Sequence, residues 1–166
     1  MRARAPMLAA ILLLTFALPL SAQSKTPAKK AAPDFAAMMQ KYLDAWGTLD
    51  PANAAPYYAK DAGLAFYDIA PEKYTGWSEY AAGVLATFGN DYQSGRFFLG
   101  DDVQVHPGRT FAWATATLDF EILRKDGGKE LLKGCRWTLI WEKRGAQWLV
   151  VHEHFSVPMG MTPQKH

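Results

Sequence analysis

Apolar and polar residues alternate with a period of two over Arg136–Glu142 and again over Trp148–Ser156. That period belongs to an extended strand, whose successive side chains point to opposite faces. Arg144, Gly145, Ala146 and Gln147 join the two runs, so Gly134–Pro158 reads as a β-hairpin. On the first strand, Arg136, Thr138 and Ile140 share one face, and Cys135, Trp137, Leu139 and Trp141 share the other. On the second, Trp148, Val150, His152, His154 and Ser156 alternate with Leu149, Val151, Glu153 and Phe155. Both faces are partly apolar, so neither is expected to lie fully open to water. The face with Arg136, Thr138, His152 and His154 suits the wall of a polar-tipped pocket.

Upstream the period changes. Phe35, Met38, Met39, Tyr42, Leu43 and Trp46 recur at helical spacing behind Asp34, a candidate N-cap, and Gly47 stops the run. Asp50-Pro51 opens a second helical piece to about Tyr58, with proline at its first position. Leu64–Tyr67 reads as a short strand and Asp68–Thr75 as a loop broken by Pro71. Gly76 to about Phe88 reads as a third helix with Tyr80, Val84, Leu85 and Phe88 inward. Strands follow: Gly95–Val105, a turn at His106-Pro107-Gly108, then the long run Thr110–Leu123. Lys125–Lys129, with its Asp-Gly pair, is a hairpin turn. On the long strand Trp113, Thr115, Thr117 and Asp119 oppose Ala112, Ala114, Ala116 and Leu118, and either face could line a cavity. The order predicts an α+β fold: about three N-terminal helices packed on the concave face of a strongly bent antiparallel β-sheet, with a conical cavity between them.

The chain has 166 residues, 49% of them hydrophobic, enough for one globular domain. Its first residues do not fit that domain. Arg2 and Arg4 precede an apolar run over Met7–Leu20, and small residues at Ser21-Ala22 close it. This is the layout of a secretory signal peptide cut near Ala22. The expected organisation is a signal peptide at 1–22, a flexible linker rich in Lys, Ala and Pro at 23–33, the domain at 34–158 and a tail at 159–166. The mature protein is then periplasmic or secreted, with no membrane attachment. Losing Arg2 and Arg4 leaves 16 basic residues against 16 acidic ones, and Asp34–Pro158 alone holds 12 against 16. That balance excludes a nucleic-acid footprint. A single cysteine, Cys135, excludes an internal disulfide and reads as a small buried hydrophobe.

Three pieces of the chain resemble the SnoaL-like and ketosteroid-isomerase-like branches of the nuclear transport factor two-like superfamily. One is Gln40–Trp46 with Leu49-Asp50 and Tyr57–Ala62. Another is the loop from Asp68 through Pro71 to Gly76. The third is Arg136-x-Thr138 beside Trp148-x-Val150-x-His152-x-His154-x-Ser156. The resemblance covers roughly Phe35–Pro158 and implies a cone-shaped α+β fold, often a homodimer formed through the sheet. The Trp137, Leu139, Trp141 face is the candidate dimer surface.

The resemblance also implies chemistry. In ketosteroid isomerase an aspartate base moves a proton beside a carbonyl, while a tyrosine and a protonated acid hydrogen-bond the oxyanion. Its tyrosine matches Tyr42. Its base falls on Phe66, and a two-residue shift brings Asp68 there on the same strand parity. Where the second oxyanion donor should stand, the chain has Arg136, which is always charged and cannot trade protons. A SnoaL-type cyclase offers another route through an Asp or His base, and His154 is a candidate. The ligand-binding candidates are Trp46, Tyr58, Trp113, Arg136, Thr138 and His152. His152-x-His154 could share a metal only if Asp119 or Glu121 supplied a third ligand, so no metal is expected, nor any cofactor. Two readings follow. One is an exported domain that binds a small, largely apolar molecule with a polar or anionic end near Arg136 and His154. The other is an isomerase- or cyclase-type enzyme with Asp68 or His154 as base and Tyr42 as hydrogen-bond donor.

Overall fold

The computed structural model describes residues 33–69, 73–160 and 164–165. The leader, most of the linker and part of the tail therefore lie outside the described residues. Helix α1 (Phe35–Trp46) begins where the Asp34 carboxylate accepts the Ala37 N–H at 2.9 Å. Helix α2 (Pro51–Ala54) is capped in the same way by Asp50. It tightens at once into a single 3-10 turn, Ala55–Tyr57, where Pro56 offers no N–H to continue the α-helical ladder. Helix α3 (Gly76–Phe88) follows the strands β1 (Ala65–Tyr67) and β2 (Tyr74–Thr75). The remaining strands are β3 (Tyr92–Leu99), β4 (Gln104–Pro107), β5 (Phe111–Arg124), β6 (Lys129–Arg144), β7 (Gln147–Ser156) and β8 (Gln164–Lys165). The predicted Gly95–Val105 run is thus two strands, β3 and β4, which both pair with β5.

The sheet runs β2-β1-β7-β6-β5-β3, with β4 beside β5 and β8 beside β6. Its long strands are antiparallel; β1 adds to β7 in parallel, pairing Phe66 with Glu153 and Tyr67 with His154. The turn between β6 and β7 is the Gly145-Ala146 pair, where Gly145 takes a φ of 61°.

The inner face of the sheet is the one with the indoles. Trp137, Leu139 and Trp141 are at most 1% exposed within a single chain. The expectation that they form a dimer surface is therefore corrected: they are core, and Phe35 packs its ring 5.1 Å from Trp141. Ala112, Ala114 and Ala116 of β5 sit directly beside Trp141, Leu139 and Trp137 of β6, so small residues leave room for large ones on the same face. Arg136, Thr138 and Trp113 consequently lie on the opposite, outer face, as does His154, which pairs with Thr138. This reverses the predicted pocket face.

A bulge explains part of the reversal. Ile140 pairs with His152 but Trp141 pairs with Val150, so Val151 is one residue extra on β7. Val150 and Glu153, three apart, therefore both point inward, and strict alternation fails there.

Helix α1 ends directly against the sheet. The Gly47 carbonyl accepts the Gly95 N–H at 2.7 Å. A Cβ on Gly47 would stand 2.8 Å from the Gly95 oxygen, and one on Gly95 2.4 Å from the Phe120 ring. Among the described residues no helix is long and apolar enough to cross a membrane.

Candidate functional site

Between α1, α3 and the inner face of the sheet lies a cavity of about 50 Å³, room for a few waters or a small organic group. Leu43, Trp46 and Leu49 line it from the first helix and its exit. Tyr80, Val84 and Phe88 line it from α3, Phe97 and Phe120 from β3 and β5, and Trp137 from β6. Two carboxyl groups interrupt this apolar wall: Glu153 of β7 and Asp68, immediately after β1.

Glu153 is 3% exposed and is the sole charged residue type in the buried core of the described residues. One oxygen, Oε1, accepts the Trp137 indole N–H at 2.6 Å. The other, Oε2, accepts the Tyr58 hydroxyl at 2.5 Å and the Tyr80 hydroxyl at 3.2 Å. Tyr58 in turn accepts the Trp46 indole N–H at 2.7 Å. Burial pushes the Glu153 carboxyl up to about 7, and nearby Asp68 pushes the same way; the three donors oppose them by favouring the ionised form. Burial, with Glu153 beside them, also raises Tyr58 and Tyr80 well above the usual phenol range.

Asp68 is half-buried, and its one described hydrogen bond is accepted from the Ile69 N–H at 2.7 Å. Burial pushes its carboxyl up to about 6, with that N–H pulling weakly down. Asp68 also borders a wider, open recess shared with Tyr67, His154 and Ser156, so it stands where the cavity meets the outside.

Of the other predicted residues, Trp46 lines the cavity and Tyr58 lies behind Glu153. Tyr42 does not line it: its hydroxyl accepts the Trp141 indole N–H at 2.9 Å, one layer away. His152 bonds the Ala65 carbonyl through Nδ1 at 2.8 Å, and the Tyr67 ring lies 5.6 Å from both histidine rings. Arg136 donates to the Val157 carbonyl at 3.2 Å. Arg136, Thr138 and Trp113 are thus not brought together with Asp68. Among the described residues no three His, Cys, Asp or Glu side chains are grouped as a metal site.

Glu153 and Tyr80 are the members that sequence reasoning passed over. The available signal was a lone acid between Val151 and Phe155 on one apolar strand face. Such an acid, if buried, must find donors, and the many tyrosines and tryptophans supply them. An acid does face the cavity, as the resemblance implies for a second donor, but it comes from β7 where β6 was expected to supply it.

No curated protein matches the chain. Solved structures do match in fold. A nuclear transport factor 2-like superfamily protein from Salmonella enterica is 22% identical, with TM-score 0.65 over 75% of this chain and 88% of that one. A Xanthomonas campestris protein, named provisionally as a calcium/calmodulin dependent protein kinase II association domain, is 20% identical, with TM-score 0.66 over 81% and 93%. A Novosphingobium aromaticivorans protein, named provisionally as a scytalone dehydratase, is 13% identical, with TM-score 0.62 over 77% and 92%. The SnoaL-like domain family matches residues 35–160, the whole of the helical layer and all the long strands. With that match over most of its length, the chain belongs to the SnoaL-like domain family, and its cone of helices on a curved sheet is the fold of these nuclear transport factor two-like neighbours.

Proposed function

We propose that this domain binds a small, largely apolar molecule in the closed end of the cone, with the molecule's polar end held at the Asp68–Glu153 pair. The observation that carries the reading is the placement of two proton-avid carboxyls on an otherwise aromatic and aliphatic cavity wall. Arg136 and His154 are outside that cavity, so the anionic end expected from them has no partner in it. Export of the mature chain is part of the same proposal.

Asp68 also supports a second reading, a proton-transfer enzyme. A carboxylate raised to about 6 is still ionised at neutral pH, yet basic enough to take a proton beside a carbonyl. Glu153 in its protonated form, rather than Tyr42, would then face the developing oxyanion. Asp68→Asn separates the two. Under pure binding, affinity for a neutral ligand changes by no more than a few-fold; under catalysis, turnover falls roughly 100-fold or more at little change in affinity. Carboxyl NMR titration of Asp68 and Glu153 is the prior check: ordinary values for both would sink either reading.

The outer face of the sheet is proposed to meet a second copy of the chain. Phe111 is 53% and Trp113 45% exposed there, and His106 stacks on Trp113 at 3.8 Å. The Xanthomonas neighbour is named as an association domain, and this face is continuous across β4, β5 and β6. Light scattering should show a dimer at micromolar concentration, and Trp113→Asp should weaken it by roughly 30-fold or more. A monomeric wild type would reject this partner.

A further inference from the structure

We propose that the molecule bound in the cone carries a protonated amine, seated between the Asp68 and Glu153 carboxyls and the aromatic rings around them. This rests on the pocket reading above and names the chemical class of its ligand.

Among the described residues that line the cavity there is no Lys, Arg or His, while two carboxyls face it. A carboxylate or phosphate would enter against like charge with no counter-ion. His152 and His154 belong to the far side of β7; His154 borders only the outer recess.

A neutral carbonyl needs donors. The lining donors in reach of the carboxyls are the Tyr80 hydroxyl and the Trp137 indole N–H, and both are already given to Glu153. Among the described residues acceptor capacity, by contrast, is spare. Asp68 accepts one described bond, and Glu153 Oε1 accepts one. An ammonium is all donor, so it fits what the site lacks. Rings complete the seat. Tyr80 and Trp137 turn their polar edges to Glu153, which leaves Trp46, Phe97 and Phe155 of the lining as the rings whose faces could attract a cation.

The pH dependence follows. On its outer side Asp68 shares the open recess with Tyr67, Tyr92, Glu130 and His154; from within the cavity, the titratable groups facing the two acids are the phenols Tyr58 and Tyr80 and, at Asp68, Tyr74. All three are shifted upward, away from neutrality, so between pH 5 and 9 the two carboxyls are the groups that change charge within the cavity. Both are protonated in acid, so a cation should bind more weakly as pH falls through about 7 and then about 6.

The test uses the 15N-labelled chain and three probes of one shape: n-butylamine, 1-butanol and butyrate. The Trp46 and Trp137 indole N–H signals, at opposite walls of the cavity, report binding. The amine is expected to bind about tenfold more tightly than the alcohol at pH 8. That gap should shrink at pH 5 and in Asp68→Asn, and butyrate should bind weakest. An alcohol or butyrate that binds as tightly as the amine would overturn the charge assignment and leave the pocket reading standing. So would an amine preference that persists unchanged at pH 5 and in Asp68→Asn. If none of the three moves either signal at high millimolar concentration, the pocket reading fails, and this inference with it.

Discussion

Glu153→Ala should destabilise the fold by about 3–5 kcal/mol, measured as the shift in urea midpoint at constant m-value. The substitution strands three donors at once: the Tyr58 and Tyr80 hydroxyls and the Trp137 indole N–H all lose their acceptor in the buried core. It also leaves a void beside Leu139, its partner across the β6–β7 pair. Glu153→Gln keeps the shape and one acceptor oxygen but turns an amide NH2 toward donors, so roughly half of that loss is expected. Tyr80→Phe removes a single link and should cost only about 1 kcal/mol. This graded order is the diagnostic. A Glu153→Ala protein as stable as the wild type would mean that the acid is not held by these donors.

The same acid should make the protein more stable in mild acid than at neutral pH. Glu153 is raised to about 7 from an ordinary value of 4.5, and Asp68 to about 6 from 3.8. Between those pairs of values the folded state binds more protons than the unfolded chain, so stability falls as pH rises. The decline should begin near pH 4 and level off above about 7, and for Glu153 alone it is on the order of 3 kcal/mol. Asp102 and Asp126 shift downward and act only at the acid end; both lie at the surface. Chemical unfolding at pH 5 and pH 8 is the measurement. The wild type should be more stable at pH 5, and Glu153→Gln should lose most of the difference. A wild type that gains stability from pH 5 to 8 would contradict the buried acid pair.

Much of the fold was legible because its signals are local. Asp34 and Asp50 cap helices where they were expected to, α3 spans Gly76–Phe88 with Tyr80, Val84 and Phe88 inward while Leu85, expected beside them, is exposed, and Gly145 turns the last hairpin. The face assignment was not local. Each face of β6 carries apolar residues, so its pattern alone cannot say which one meets the helices; the three alanines of β5 decide it by making room for the indoles. The bulge at Val151 has no sequence signature that period-two reading could detect, yet it puts both Val150 and Glu153 inward. The site was half visible for the same reason. Asp68 could be placed because it shares the parity of Phe66, which is fully buried. Glu153 could not, because on an alternating strand an acid looks like a solvent-facing residue until its partners are found. Those partners, Tyr58 and Tyr80, lie 95 and 73 residues away in the chain.

The parallel contact of β1 with β7 sets a timetable as well as a geometry. Strand β1 is only three residues long, and its neighbours are β2, of two residues, and β7, which follows every other long strand of the sheet. A chain emerging from the ribosome therefore makes Asp68 early but can fix it only when Phe66 finds Glu153, after β7 has been made. The two acids are brought together by the last long strand to form. A nascent chain stalled before β7 would hold helices and most of the sheet, but no closed cone, and its indoles would stand open to whatever chaperone meets them first.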